Sequence, residues 1–364
     1  MLIAALHARS LARSARRGGH RTAVVDLYND VDTRKYADRS CKVPGSAGGF
    51  NADALLAAAD KLAPLPCGLV AGTGFEDQPA LLARLAENRE LIGNTVATVR
   101  RVKDPAAFFP LLDTLEIPHP EISSVLPQVP TGWLSKRIGG HGGTHIQSAG
   151  DAHATAPDRY FQRVAEGRNC SALFLADGES ACLIGFSEQF TVCRGDSAYW
   201  YAGAINRVDL HPDVRGDIAR KLDDLVAACR LVGLNSIDFI AAGDDYWILE
   251  VNPRPSATID LYDDDIPGGL FDRHVRACRG ELPVVVPMGK VRAHRVVYAP
   301  QALRLRPRFS FPDWCSDIPE AGDDFVGGAP VCMVHAAGAT AMETRKLIEQ
   351  RWSLIEQRLF ERAA

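Results

Sequence analysis

Nine cysteines are scattered through 364 residues with no C-x-x-C pair and an odd total, a pattern that fits free thiols in a reducing compartment. No apolar run approaches the length of a transmembrane helix, and Met1–Leu6 is too short for a signal h-region. A soluble, cytoplasmic protein with no membrane partner is expected. Forty-one basic residues against forty-five acidic ones leave a net charge of -4, so no basic field draws in nucleic acid. The first strand is followed by His7-Ala-Arg-Ser10 rather than G-x-G-x-x-G, which removes the phosphate cradle of a dinucleotide site although Asp26 ends the next strand. No internal repeat and no low-complexity tract is present, and no Ser/His/Asp triad stands out.

What is present begins with Ser236–Arg254. Two apolar stretches joined around Gly243-Asp244 read as a β-hairpin. Alternation along a strand puts Glu250 and Asn252 on one face, and Asp238 joins them from across the ladder. Two carboxylates and an amide oxygen on one wall repel one another unless a cation sits between them. An all-oxygen set of this kind suits Mg2+, with Mn2+ as the alternative ion, usually beside substrate phosphates.

The rest of the chain supplies partners for that wall. Leu2–Leu6, a helix over Arg9–Arg17 and Thr22–Asp26 form a β-α-β unit, hence a parallel sheet. A helix over 53–63 and a strand over 67–71 follow. Gly72-Thr-Gly74-Phe-Glu76 then lies at a strand's carboxyl end, either a ligand-binding turn or only a tight one. Lys103-Asp-Pro opens a helix to Leu115. Trp133–Ile138 is a strand carrying Lys136, Gly139-Gly140-His141-Gly142-Gly143 a loop, and Thr144–Gln147 a returning strand. A lysine beside four glycines meets the needs of a polyphosphate, although a flexible hairpin tip has the same letters. Ser171–Ala176 and Ser180–Phe186 make a second hairpin. Asp217–Leu231 is an amphipathic helix, closed by Gly233, whose stripe of Ile218, Leu222, Leu225, Val226 and Cys229 should pack behind the Asp238/Glu250 hairpin. Short strands over 284–287, 290–298, 303–305 and 330–335 and a helix over 340–362 end the chain.

Lys103, Lys136 with its glycine loop, Gln162-Arg-Val-Ala-Glu-Gly167, Asp238 and Glu250-Val-Asn-Pro-Arg254, in this order, resemble the ATP-grasp superfamily of ligases and carboxylases. The resemblance implies a mixed α/β and α+β architecture. It comprises a Rossmann-like parallel domain over 1–97, an ATP-grasp domain over 98–280 and a β-rich C-terminal subdomain ending in a helix over 281–364. It implies that Lys103 and Lys136 hold the phosphates of ATP, that Gly139, Gly140, His141, Gly142 and Gly143 close over them, and that the backbone of Arg163, Val164 and Ala165 meets adenine. Asp238, Glu250 and Asn252 would bind Mg2+, Arg254 would neutralise acyl-phosphate oxygens, and Lys136 and Arg254 would be the catalytic cations. The chain departs from many members in having Gln162, not an acid, at the hinge, and the ribose position falls near Asn169.

Within the superfamily, Ala8-Arg-Ser-Leu-Ala12, Asp26-Leu-Tyr with Asp30-x-Asp32, and Gly72–Glu76 resemble the tyramine–glutamate ligases of methanofuran synthesis. That branch implies an ADP-forming ligase joining a carboxylate, glutamate for preference, to a small amine or amino acid through an acyl phosphate. Its substrates would be met by Gly72, Gly74, Glu76, Ser256 and Thr258. The alternatives are a carboxylase of the purine-precursor type and a non-catalytic nucleotide-binding protein. Partners are small molecules, and a homodimer is the commonest arrangement for soluble enzymes.

Overall fold

The computed structural model describes residues 1–46, 48–151, 156–194, 197–283 and 289–360. The strand expected over 284–287 lies outside the described residues, as do the final residues of the expected C-terminal helix.

Buried apolar runs make the first sheet. β1 (Leu2–Ala4), β2 (Ala23–Asp26), β3 (Arg39–Lys42), β4 (Gly68–Ala71) and β5 (Glu90–Leu91) pair in parallel in the order β3-β2-β1-β4-β5. Helix α1 (Arg9–Arg17) crosses between β1 and β2 and stops at Gly18-Gly19. Asp26 has a local role here: its carboxylate accepts the N–H groups of Ala8, Tyr28 and Asn29 and so ties together the loops at the strand ends.

Two capped helices follow. α2 (Val96–Lys103) starts at Thr95, whose side chain accepts from Thr98 N–H, and α3 (Pro105–Thr114) starts at Asp104, which accepts from Ala106 N–H. Lys103 therefore ends α2 rather than opening α3. The break at Asp104 holds it at a fixed corner.

A four-stranded antiparallel sheet comes next, built from β6 (Ile122–Ser123), β7 (Trp133–Arg137), β8 (Gln147–Ser148) and β9 (Arg159–Arg163) in the order β8-β7-β9-β6. The returning strand is shorter and later than expected. Only Gln147 and Ser148 pair, with Ser135 and Leu134, because the chain before them is drawn away onto another sheet.

That sheet has eight antiparallel strands: β10 (Arg168–Asp177), β11 (Ala181–Arg194), β12 (Ser197–Ile205), β13 (Val232–Ala242), β14 (Asp245–Asn252), β15 (Val291–Tyr298), β16 (Cys315–Ser316) and β17 (Pro330–Gly338). They are ordered β14-β13-β10-β11-β12-β15-β17-β16. The strands after residue 280 thus continue the sheet that holds the hairpin, through Gly203 opposite Arg295.

Helix α4 (Pro212–Cys229) covers one face of this sheet. It begins five residues before Asp217, with Pro212 in its first turn, and its cap is Arg230 in the left-handed conformation rather than Gly233. Val214, Ile218, Leu222, Leu225, Val226 and Cys229 bury against Phe239, Ile248 and Val251, with Phe108, Phe109 and Leu112 of α3 completing the cluster. Trimming one of these large side chains to alanine should cost about 2–5 kcal/mol. Helix α5 (Gly269–Ala277) packs Leu270, Phe271 and Val275 on Leu173, Leu175 and Leu234, in the same cluster as Ile3, Leu11 and Val24 of the first sheet. Helix α6 (Ala341–Phe360) opens with reciprocal Thr340/Glu343 hydrogen bonds and packs Ile348, Ile355 and Leu359 against β15 and β17. Among the described residues no helix is long and apolar enough to cross a membrane.

Candidate active site

The hairpin of β13 and β14 turns at Gly243-Asp244, with Gly243 at φ 65°, and brings Asp238 directly opposite Glu250 and Ser236 opposite Asn252. Strict alternation from Tyr246 and Ile248, which face α4, would put Glu250 on the same apolar side. A β-bulge intervenes: Phe239 pairs with Ile248 and Asp238 with Glu250, so Leu249 is an extra residue. The bulge turns Glu250 and Asn252 away from the core. Val251 takes the buried side, fully covered.

These groups open into a cavity of about 1060 Å3 bounded by the parallel sheet, the four-stranded sheet and the eight-stranded sheet. Asn252 Nδ2 donates to Asp238 Oδ2 at 2.9 Å, and Gln189 Nε2 donates to Asp238 Oδ1 at 2.9 Å. Lys103 Nζ reaches Glu250 Oε2 at 2.7 Å and Asn252 Oδ1 at 3.2 Å. Burial, and then the neighbouring Glu250, push the Asp238 carboxyl up to about 6. Burial acts on Glu250 in the same direction, but Lys103 outweighs it and holds Glu250 below the usual carboxylate range.

Lys136, on β7, is buried and donates to Gln162 Oε1 across the ladder on β9. Burial lowers its pKa to about 8 against the pull of Glu250 and Asp238. The glycine loop lies across the cavity and is seated at both ends. A Cβ on Gly139 would come within 2.6 Å of Glu76 O, and one on Gly143 within 1.7 Å of Tyr199 O; both residues have positive φ. Tyr201 N–H donates to Gly142 O at 3.0 Å, so the loop is drawn onto β12. Gly140 and His141 line the cavity with them, and burial takes His145 down to about 3, leaving it neutral.

Arg163, Val164 and Ala165 line the cavity where β9 ends. Arg163 N–H donates to Glu121 O and Val164 N–H to Gly132 O, while the Arg163 guanidinium lies over the Trp133 ring. Ala165 is the hinge residue whose N–H has no such partner among the described residues. Arg254 Nε donates to Glu76 Oε1 at 2.7 Å and Nη2 to Asn252 Oδ1 at 3.3 Å. Glu76 is buried, which raises its pKa, yet Arg254, His141 and Lys103 together hold it at about 2. It also accepts the N–H groups of Gly74 and Phe75. Gly72, Ser256 and Thr258 line the cavity. Gly74 and Glu76 stand behind it, where Glu76 holds Arg254.

The far end of the cavity escaped the reading of the sequence. Arg9, only 5% exposed, donates Nη1 and Nη2 to Asp260 at 2.8 and 2.6 Å, and Nε and Nη2 to Asp317 at 3.1 and 3.2 Å. Asp32 lies 3.8 Å from Arg9 and accepts the N–H groups of Asp317 and Ile318. Burial, followed by Asp317, Asp26 and Asp32, lifts Asp30 to about 8. The Asp30-x-Asp32 spacing was the one local signal available; the rest comes from positions hundreds of residues apart.

Residues 93–258 match the family model of the ATP-grasp domain. The chain is thus similar to ATP-grasp proteins over a little under half of its length. It is 24% identical over 241 residues to the carbamoyl phosphate synthase large chain of Methanospirillum hungatei JF-1, covering 58% of this chain and 22% of that protein. It therefore spans about a fifth of that curated relative. Among solved structures it is similar to a biotin carboxylase–β,γ-ATP complex from Campylobacter jejuni, with a TM-score of 0.75, 12% identity and coverage of 98% and 95% of the two chains. It is also similar to the dimeric biotin carboxylase domain of Hydrogenobacter thermophilus 2-oxoglutarate carboxylase in complex with MgADP, ADP and bicarbonate, with a TM-score of 0.74, 13% identity and coverage of 96% and 89%. The likeness extends the ATP-grasp fold over nearly the whole chain, including the parallel sheet before the ATP-grasp domain and the strands after it.

The oxygen wall fits the metal of an ATP-grasp site. Among the described residues no three His, Cys, Asp or Glu side chains gather to hold an ion by themselves. Two carboxylates and an amide, with room for phosphate oxygens and water, are the partial set on which Mg2+ usually relies.

Proposed function

We propose that the protein is an ATP- and Mg2+-dependent, ADP-forming ligase that joins a carboxylate, glutamate for preference, to a small amine through an acyl phosphate. The observation that carries this reading is the convergence of Lys103, Lys136 and Arg254 with Asp238, Glu250 and Asn252 on one cavity. Phosphoryl transfer asks for charge and position rather than for a protein nucleophile. Lys103 and Lys136 hold phosphate oxygens, Ala165 and its hinge neighbours meet adenine, and the glycine loop excludes water from the acyl phosphate. Asp238, Glu250 and Asn252 would hold the metal, which when bound neutralises charge on the transferring phosphoryl group. Arg254, braced by Glu76, faces the acyl-phosphate oxygens, and Ser256 and Thr258 lie beside it.

A second reading is transfer of carboxyphosphate, favoured by the carboxylases and the carbamoyl phosphate synthase among the similar proteins. The far end of the cavity supports an amine instead. One arginine among four carboxylates repels bicarbonate and attracts an ammonium group. The tyramine–glutamate branch, and with it a step in methanofuran-like cofactor synthesis, is the finer form of the proposal. All nine cysteines are free, which supports a reducing, cytoplasmic setting, and a homodimer is proposed for size-exclusion measurement. The test is ADP release with ATP, Mg2+, glutamate and a panel of amines that includes tyramine. ADP and phosphate formation that needs both the acid and the amine is expected. AMP and pyrophosphate, or dependence on bicarbonate with no amine, would refute it.

A further inference from the structure

The wall of oxygen ligands is the beginning of a longer polar face. Directly opposed residues of neighbouring strands share a side of the sheet. Gln189 pairs with Ala204, Ala204 with His294, and His294 with His335. Gln189 also donates to Asp238, so this line of residues continues the metal wall across β11, β12, β15 and β17. Tyr201 lines the cavity on the same stretch of β12, and its Oη lies 2.6 Å from His294 Nε2.

The direction of that hydrogen bond follows from what surrounds the imidazole. His294 is fully buried, and among the described residues no group lies within hydrogen-bond reach of its Nδ1. A neutral imidazole carries one N–H. On Nδ1 that hydrogen would be a buried donor with no acceptor, a loss of about 1–3 kcal/mol. On Nε2 it is satisfied by Tyr201 Oη and leaves only a bare lone pair at Nδ1, the less costly omission. The Tyr201 hydroxyl then accepts from His294, and its own hydrogen is directed elsewhere. The Tyr201 backbone is held on both sides, its carbonyl by Tyr298 OH at 2.7 Å and its N–H by Gly142 O at 3.0 Å.

We infer that His294 holds Tyr201 as a hydrogen-bond donor to an oxygen of the bound carboxylate substrate, the oxygen that becomes anionic when the amine attacks. This rests on the ligase reading above. The amine nitrogen forms a bond to the acyl carbon, the carbonyl oxygen takes the electron pair, and the bond to the phosphate oxygen then breaks. The ammonium proton leaves with the phosphate. Tyr201 donates throughout and transfers no proton. It is the catalytic residue of the pair, and His294 positions it.

Two measurements test this. In the whole protein labelled with 15N-histidine, with His294→Gln used to assign the signal, His294 should show the Nε2–H tautomer. The Nδ1–H tautomer would overturn the inference. In the second measurement, hydroxylamine replaces the amine with ATP, Mg2+ and L-glutamate, and hydroxamate is counted. Tyr201→Phe should lower kcat about 100-fold with the KM for ATP within about twofold. His294→Leu should behave like Tyr201→Phe, whereas His294→Gln, whose amide can still donate, should recover most of the rate. Wild-type kcat in Tyr201→Phe, or an effect confined to the KM for ATP, would overturn it. If the wild-type protein forms no hydroxamate from any carboxylate of a panel, the ligase reading falls and takes the substrate role of Tyr201 with it. The tautomer spectrum then still decides the direction of the hydrogen bond.

Discussion

At one end of the cavity Lys103, Lys136 and Arg254 stand against Asp238, Glu250 and Glu76. At the other, Arg9 stands among Asp30, Asp260 and Asp317, with Asp32 3.8 Å from it. The first set is balanced, three charges against three, and each cation already has an acceptor. On the proposed reading an incoming nucleotide would take Lys103 and Arg254 over from protein oxygens, and Asp238, Glu250 and Asn252 would hold the metal. The second set has more acids than bases, and burial, followed by Asp317, Asp26 and Asp32, pushes Asp30 up to about 8.

Substitutions at the two ends should separate these designs. The largest effect is expected from Glu250→Gln, which keeps an oxygen for Lys103 but removes a carboxylate from the metal wall. Turnover measured by ADP release should fall by about 10^2–10^3 while the melting temperature stays near that of the wild type. Alanine would be a blunter tool, since it leaves the buried ammonium of Lys103 without its 2.7 Å partner.

Arg9→Met at the other end should act on stability instead. It strands two buried carboxylates, and losing one partner of a buried ion pair typically costs about 3–5 kcal/mol. Arg9 keeps Asp260 at about 2 despite burial. The stability difference between the variant and the wild type in urea should therefore narrow as the pH falls and Asp260 can take up a proton.

Glu76→Gln probes the brace between the ends. The folded-state pKa of about 2 lies below the ordinary 4.5. The stabilisation from Glu76 is thus complete above 4.5 and is lost as pH falls toward 2. The variant should have a flatter urea midpoint over that interval and turnover reduced by about tenfold, or roughly 1.4 kcal/mol.

The smallest effect concerns Lys136. Its pKa, lowered to about 8 by burial, predicts that the KM for ATP rises as pH passes above 8. A Lys136→Arg variant should show no such rise. A flat wild-type profile would refute the phosphate role.

The contrast between the two ends also explains what could be read from residues alone. The hairpin with Asp238, Glu250 and Asn252, the Lys136–glycine segment and the α4 stripe are local patterns in which the chemistry and the spacing sit together. Arg9 meets Asp260 and Asp317 across 251 and 308 residues, and no local period brings such positions together. Tyr201, His294 and His335 needed the strand order β12-β15-β17, which runs through the point at 280/281 where the chain was divided. Glu76 looked like a substrate ligand because it follows a Gly-x-Gly turn. Its service to Arg254 depends on a contact 178 residues away. The displaced returning strand after the glycine loop had a similar cause, since β12 captures the loop before the strand can pair.

The bulge at Leu249 makes the phase of one strand a functional variable. Every residue of a strand belongs to an odd or an even set, and a single extra member exchanges the two sets from that point onward. Ile248 before the extra residue and Val251 after it both pack in the cluster of helix α4. Deleting Leu249 would leave plain alternation, with Glu250 and Asn252 still turned toward the cavity and Val251 still inside. Ironing the bulge out with Leu249 retained would instead send Glu250 and Asn252 toward the packed helix and bring Val251 out. The wall of Asp238, Glu250 and Asn252 therefore depends on the bulge that absorbs the extra residue.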